Sequence, residues 1–351
     1  MTGLTSKNIE ELQALMAELG EPKFRARQVF EWLSRGVRPE EMTNLSKSLR
    51  EKLAALPYGG ATIYQKRVSA KDGTIKYLFV LEDGNLVEGV LMRYKYGNTL
   101  CVSTQVGCRM GCAFCASTLN GCVRNLEAGE ILSFVACAEQ DVPCEEGRKR
   151  SVTNLVLMGS GEPLDNYENV VRFLRLVSAT EGMNISPRNI SLSTCGLVPQ
   201  LRRFMQEAPH VTLSVSLHAP NDAIRNEIMP VNAAYPMAEL LAAAKEYAVL
   251  TGRRVIFEYA LIKNKNSERR HAEELASRLR GINCHVNLIP LNHVAERALM
   301  GVTRREAEQF MAWLTELGIS ATIRREMGTD IEGACGQLRR RVLETQREGN
   351  T

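Results

Sequence analysis

From residue 99 onward the chain repeats one unit, a short apolar run with strand character followed by an amphipathic helical stretch. The strand-like runs cover 100–104, 154–158, 189–193, 212–217, 255–261 and 286–290, and a seventh short run lies at 321–324. Between them, at 167–177, 237–250, 267–279 and 304–317, apolar residues recur at helical spacing. Strands separated by helical crossovers run parallel, because the helix returns the chain to the end of the sheet from which it started. The repeat therefore predicts an α/β fold, an open or partial barrel of about six (β/α) units, with chemistry at the C-terminal ends of the strands.

Residues 1–60 have a different period. Asn8 can cap a helix whose apolar face is Leu12, Leu15, Met16 and Leu19, and Gly20 and Pro22 stop it. A second helix carries Phe24, Val29, Trp32 and Leu33, starts with Lys23, Arg25 and Arg27, and ends at Gly36. A third runs over about 46–53 and stops before Pro57. We read a small helical accessory domain here. Residues 61–94 carry two Asp-Gly pairs, Asp72-Gly73 and Asp83-Gly84, between runs rich in β-branched and aromatic residues, which predicts a β-hairpin linker. The barrel is then expected over 95–330, with a C-terminal segment at 331–351.

No apolar run approaches the roughly 18 residues that span a bilayer. The first 20 residues lack the basic, apolar and small-residue pattern of a secretory signal. A cytoplasmic location is expected, where the ten cysteines are buried hydrophobes, metal ligands or catalytic thiols rather than a disulfide framework. A net charge of +4 excludes nucleic-acid binding by overall charge. Yet arginine and lysine cluster at 148–150, 253–254, 269–270, 304–305, 324–325 and 339–341. These clusters either converge on a phosphate-binding face or are solvated charges at helix ends.

The densest chemistry is Cys108-Arg109-Met110-Gly111-Cys112-Ala113-Phe114-Cys115, which puts three thiols within eight residues just after the first barrel strand. Thiolates at this density suit zinc or an iron–sulfur cluster. A closed zinc site wants a fourth protein ligand. Cys122 could be recruited, but Asn120-Gly121 and an expected following helix make that awkward. Three cysteines on a [4Fe–4S] cluster leave one iron open to a small molecule.

The Cys-x3-Cys-x2-Cys loop resembles the signature of the radical S-adenosylmethionine superfamily, whose open iron chelates S-adenosylmethionine and cleaves it reductively to a 5′-deoxyadenosyl radical. The surrounding residues narrow the likeness. Gln105-Val106-Gly107-Cys108, Met158-Gly159-Ser160-Gly161-Glu162-Pro163, Leu192-Ser193-Thr194-Cys195-Gly196, Ser216-Leu217-His218-Ala219-Pro220-Asn221, His285-Val286-Asn287-Leu288-Ile289-Pro290 and Ala334-Cys335-Gly336-Gln337-Leu338 together resemble the RlmN/Cfr family of RNA methyltransferases. The match runs in order along nearly the whole chain. It is nearer the RlmN branch, which methylates adenine C2, than the Cfr branch, which methylates C8, and Pro163 is the RlmN-like feature.

The resemblance implies a role for each matched residue. Cys108, Cys112 and Cys115 would hold the [4Fe–4S] cluster. Gly161, Glu162, Ser193, Ser216, Leu217, His218 and Asn292 would contact S-adenosylmethionine, most of them where a barrel strand meets its loop. Cys335 would take a methyl group from one S-adenosylmethionine, and the radical derived from a second would remove a hydrogen from it before it adds to the adenine. Cys101 would attack the Cys335 sulfur, forming a transient disulfide that releases the RNA, and Glu88 would accept a proton. Cys122, Cys137, Cys144, Cys195 and Cys284 keep the reading of small buried hydrophobes. One departure stands next to the methyl carrier, where Glu332-Gly333 replaces the Asp-Ala common in relatives.

The implied substrates are 23S ribosomal RNA and transfer RNA, gripped by the helical N-terminal domain, with a flavodoxin-type electron donor and a monomeric enzyme. C8 methylation, or an RNA-binding iron–sulfur module without methyl transfer, are the alternatives.

Overall fold

The computed structural model describes residues 3–144, 146–291 and 298–331, together with Leu338 and Val342. Asn292 and Cys335, both named above, lie outside the described residues.

Three helices open the chain: α1 (Ile9–Glu18), α2 (Arg25–Ser34) and α3 (Lys47–Ala54). Asn8 forms the foreseen cap, its side chain accepting from Glu11 N–H at 2.8 Å while Glu11 accepts from Asn8 N–H at 2.9 Å. Leu12 and Met16 are then buried on one face. Strands β1 (Ala61–Val68), β2 (Ile75–Leu81), β3 (Leu86–Tyr94) and β4 (Gly97–Cys101) follow as an antiparallel meander. Gly73 and Gly84, at φ +70° and +81°, make the Asp-Gly turns possible, since L-residues avoid that backbone region.

A small two-stranded ribbon, β5 (Gln105–Gly107) and β6 (Cys122–Asn125), precedes the helical crossovers. The later elements are α4 (Ala128–Asp141), β7 (Val152–Leu157), α5 (Tyr167–Ser178), β8 (Ile190–Thr194), α6 (Val198–Glu207) and β9 (Thr212–Ser216). They continue with α7 (Asp222–Ile228), α8 (Met237–Thr251), β10 (Val255–Leu261), α9 (Arg269–Leu279), β11 (Cys284–Pro290), α10 (Arg304–Glu316) and β12 (Ala321–Ile323).

Ten strands form one sheet in the order β1-β2-β3-β4-β7-β8-β9-β10-β11-β12. From β4 to β12 every pairing is parallel, as the alternation predicts. The sheet is open, with β1 and β12 at its edges. Two features differ from the sequence reading. Residues 61–94 do not link two bodies. They continue the barrel sheet, because β4 bonds to β3 on one side and β7 on the other. Residues 122–125 form an unforeseen strand against β5 before the expected helix, which follows as α4.

Alternation along each strand sends one set of side chains under the helices and the other into the barrel. Leu100, Leu155, Leu157, Leu192, Leu213, Val215, Phe257, Tyr259, Val286 and Leu288 fill the core. The opposite face carries Cys101, Val156, Ser193, Ser216, Glu258 and Asn287, as the register requires. A parallel sheet ordinarily has apolar side chains on both faces. The polar inner row marks this face as a site. Among the described residues, no helix is long and apolar enough to cross a membrane.

Candidate active site

The three-cysteine loop leaves the barrel through the β5–β6 ribbon. Gly107, at φ +86°, brings its backbone so close to Gly121 that a Cβ would stand 2.1 Å from the Gly121 carbonyl oxygen. Cys108 N–H donates to that same oxygen at 2.9 Å. Further along the loop, Ala113 N–H donates to Ile228 O at 2.8 Å, and the Thr118 hydroxyl donates to Cys115 O at 3.0 Å. Arg109 grips Asp165 with two hydrogen bonds of 2.6 and 2.8 Å, and Gln105 donates to the same carboxylate at 2.7 Å. The loop is thus fixed from both sides before any ligand arrives.

Cys108 and Cys112 are buried and Cys115 is half-buried. Burial pushes the Cys108 thiol up to about 12, and Cys115, Glu162 and Cys122 add to the rise. Burial likewise pushes Cys112 to about 12, with Cys115, Cys108 and Glu162 contributing. The three thiols therefore share one electrostatic neighbourhood, and binding a cation there must expel protons. Among the described residues, no group of three or more His, Cys, Asp or Glu is placed to hold a single metal ion. Three soft donors spread round a loop suit a cluster, in which each thiolate meets its own iron.

Arg225 supports that fit. It is fully buried and donates to Cys195 O at 2.6 Å, Ser216 O and Leu217 O at 3.1 Å, and Asn232 Oδ1 at 2.8 Å. Among the described residues no carboxylate hydrogen-bonds to it, while it interacts electrostatically with Cys112 and Cys195. Asp222 also acts on it electrostatically, and its attraction toward Cys195 and Cys112 suits an anionic group at those thiols.

After β7, Gly161 adopts φ +107°, and a Cβ there would lie 2.7 Å from Gln105 N. Only glycine lets this loop fold against the start of β5. Glu162 follows, buried, its carboxylate accepting Cys195 N–H at 2.8 Å and Leu164 N–H at 3.0 Å. Burial raises its pKa, and those bonds oppose the rise. The resemblance implies that Glu162 contacts S-adenosylmethionine. In the structure its two oxygens already stitch the β7 loop to the end of β8.

Ser193 and Ser216 bring their hydroxyls within 3.3 Å of each other on the inner face. Leu217 turns its side chain into the core, and its N–H and carbonyl are engaged by Glu258 O and Arg225. His218 sits at φ +55°, uncommon for a residue with a side chain. Its Nδ1 accepts Ala260 N–H at 2.9 Å and its carbonyl accepts from Asn266 at 2.8 Å. The neutral ring therefore carries its proton on Nε2. Burial pushes the imidazole down to about 3, helped by Arg225. The ring meets Phe114 of the cysteine loop edge-on, centroids 4.8 Å apart. His218 thus ties β9 and β10 to that loop.

Cys101 ends β4, buried and in register with Val90 of β3 and Val156 of β7. Glu88 lies two residues before Val90 on the same face of β3. Its carboxylate is 3.1 Å from the Lys76 ammonium, and both side chains are buried. The Glu88 carbonyl accepts from the Ser103 hydroxyl at 2.8 Å, whose oxygen accepts Ser160 N–H at 2.8 Å. Glu88, Cys101 and the loop after β7 are thereby linked. On the same face Leu338 packs against Leu78 and Leu86, while Asp330 bonds to Ser69 Oγ and Ala70 N–H at 2.6 and 2.9 Å. Cys335 and Asn292 are outside the described residues.

Sequence reasoning passed over Lys76, Arg225 and Glu258. Glu258 is buried, accepts from Asn287 at 2.9 Å, and has no hydrogen-bond partner for its other oxygen among the described residues. Two of the three carried a legible signal, a single charge inside an apolar strand: Ile75-Lys76-Tyr77-Leu78 and Val255-Ile256-Phe257-Glu258-Tyr259.

A tricysteine loop at the C-terminal end of the first parallel strand, facing a polar barrel interior, defines a radical S-adenosylmethionine enzyme, and residues 102–276 match the Radical SAM superfamily. Residues 2–58 match the Ribosomal RNA large subunit methyltransferase N-terminal domain. The crystal structure of a radical SAM methyltransferase from Sphaerobacter thermophilus is similar with a TM-score of 0.91 and 45% identity, covering 96% of this chain and 99% of that one. The probable dual-specificity RNA methyltransferase RlmN of Alkaliphilus metalliredigens is 48% identical over 98% of this chain and 96% of its own. The RlmN of Clostridium perfringens is 48% identical over 99% of both. The chain belongs to the RlmN family of radical SAM methyltransferases. Its cofactors are accordingly a [4Fe–4S] cluster and S-adenosylmethionine.

Proposed function

We propose that the protein methylates C2 of an adenine in large-subunit ribosomal RNA and in transfer RNA, using Cys335 as the methyl carrier. The observation that carries this reading is the shared face of β2, β3 and β4. Cys101 and Glu88 lie together there, and Leu338, three residues beyond Cys335, is buried against Leu78 and Leu86 of the same face. Three residues of chain reach at most about 10 Å, so the anchor supports a thiol at position 335 working beside Cys101 and Glu88.

Adenine C2 is electron-poor and repels an electrophilic methyl, which is why a sulfur-bound carbon radical suits it. Cys108, Cys112 and Cys115 would hold the cluster, and Gly161, Glu162, Ser193, Ser216, Leu217, His218 and Asn292 would surround S-adenosylmethionine. When bound, the two supply a methyl group and a radical oxidant. Cys335 accepts the methyl by displacement of S-adenosylhomocysteine, gives up one hydrogen atom from it to the radical, and bonds through that carbon to C2, the extra electron of the adduct leaving with the cluster, when bound, as its acceptor. Glu88 accepts the C2 proton. Cys101 attacks the Cys335 sulfur as a thiolate, forming a disulfide; the carbon–sulfur bond to the RNA breaks with its electron pair on carbon, which takes a proton from solvent and becomes the product methyl. The helical N-terminal domain grips RNA while the target base is extruded into the barrel. A flavodoxin-type donor, a monomeric state and a cytoplasmic location complete the proposal.

Mass spectrometry of nucleosides from RNA treated with the anaerobically reconstituted enzyme tests it. The expected product is 2-methyladenosine. An 8-methyl product would move the enzyme to the Cfr-type reaction, and the absence of any methylated adenosine would favour a non-catalytic RNA-binding module.

A further inference from the structure

We infer that Lys76 is a positioning residue for Glu88, holding its carboxylate at the reacting face of the barrel. The inference rests on the proton-accepting role proposed for Glu88. Strand β2 reads Ile75-Lys76-Tyr77-Leu78-Phe79, one cation in an apolar run, and Lys76 has no exposed surface. Its ammonium lies 3.1 Å from Glu88, itself only 5% exposed. Desolvating both charges costs free energy that an apolar pair of similar volume avoids, so such a pair is weak evidence of stabilisation.

Its place in the sheet points to a different purpose. Lys76, Glu88 and Cys101 project from the inner face of three adjacent strands, away from the core side occupied by Tyr77, Phe79 and Leu91. Glu88 is held twice. Ser103 fixes its carbonyl from β4's continuation, and Lys76 draws its carboxylate from β2. The first contact fixes the backbone from which the side chain springs, and the second draws the carboxylate itself toward β2. That is what a proton acceptor needs when a misplacement of about 1 Å can cost roughly 100-fold in rate.

The test uses the reconstituted full-length enzyme with RNA in single turnover. It follows three readouts: methyl loading on Cys335 by peptide mass spectrometry, covalent RNA–protein adduct, and released methylated RNA. Lys76→Met should still load Cys335 but release product about 100-fold more slowly, with adduct accumulating as it should in Glu88→Gln. Lys76→Arg, which keeps the cation, should recover most of the release rate. Combined with Glu88→Gln, Lys76→Met should add nothing, because the two act on one step. The neutral double variant also serves if Lys76→Met alone fails to fold.

Release at the normal rate in Lys76→Met would overturn the inference. So would a loss in the double variant well beyond that of Glu88→Gln. Normal release in Glu88→Gln would instead overturn the role proposed for Glu88.

Discussion

Alanine at Cys112 should give a folded protein that retains almost no iron or acid-labile sulfide after anaerobic reconstitution, and whose methylating activity falls to background. Cys112 packs in a small cluster with Cys195, Ala219, Ile228, Met229 and Ile262, apart from the main core. Losing one sulfur there removes little apolar contact, on the order of 1 kcal/mol, so thermal unfolding should shift by only a few degrees. The chemical loss is larger, since a cubane held by two thiolates has two irons open to solvent. Cys122→Ala is the companion variant. It flanks the loop on β6 and would be the added ligand of a closed zinc site. Its iron content should match that of the unaltered protein.

Alanine at Cys335 should abolish product, by a factor on the order of 1,000 or more, while leaving cluster content unchanged. Alanine at Cys101 should fail differently. In the proposed reaction, methyl loading and addition to the base need only Cys335, whereas release needs a second thiolate to attack its sulfur. The chain should therefore stall as a covalent RNA–protein adduct, visible as a nuclease-sensitive shift on a denaturing gel. Cys101 is buried at the end of β4 among Val90, Met92 and Val156. Truncation there removes one sulfur from that cluster, and a fold defect would not produce a covalent adduct.

The fold was readable where one period dominates. Strand and helix periods alternate from residue 99, and each crossover forces a parallel neighbour, so β7 to β12 fall close to their expected places. The Asp-Gly turns were readable too. What escaped was continuity. Nothing in residues 61–94 says that β3 will pair with β4 rather than stand alone, because that pairing depends on β4 having one edge left free by β7. The β5–β6 ribbon escaped because its strands are three and four residues long and one contains the polar pair Arg124-Asn125.

At the site, spacing singles out Cys108, Cys112 and Cys115 as candidate ligands, since three thiols in one loop have few other uses. Arg225 is hidden. It lies in a short helix whose charge pattern looks solvated, Asp222-Ala223-Ile224-Arg225-Asn226-Glu227, yet its side chain is fully buried. His218 was placed at the right strand end, but its Nδ1 bond to Ala260 and its positive φ depend on β10 and could not be read locally.

The central claim is that the transferred carbon passes through a sulfur of the protein and loses a hydrogen on the way. Supplying S-adenosylmethionine with a fully deuterated methyl group tests this most directly. Loss of one deuterium from the Cys335 methyl, followed by gain of one hydrogen from solvent, predicts 2-methyladenosine carrying two deuterium atoms. A product that keeps all three would mean direct transfer to the base and would contradict the account.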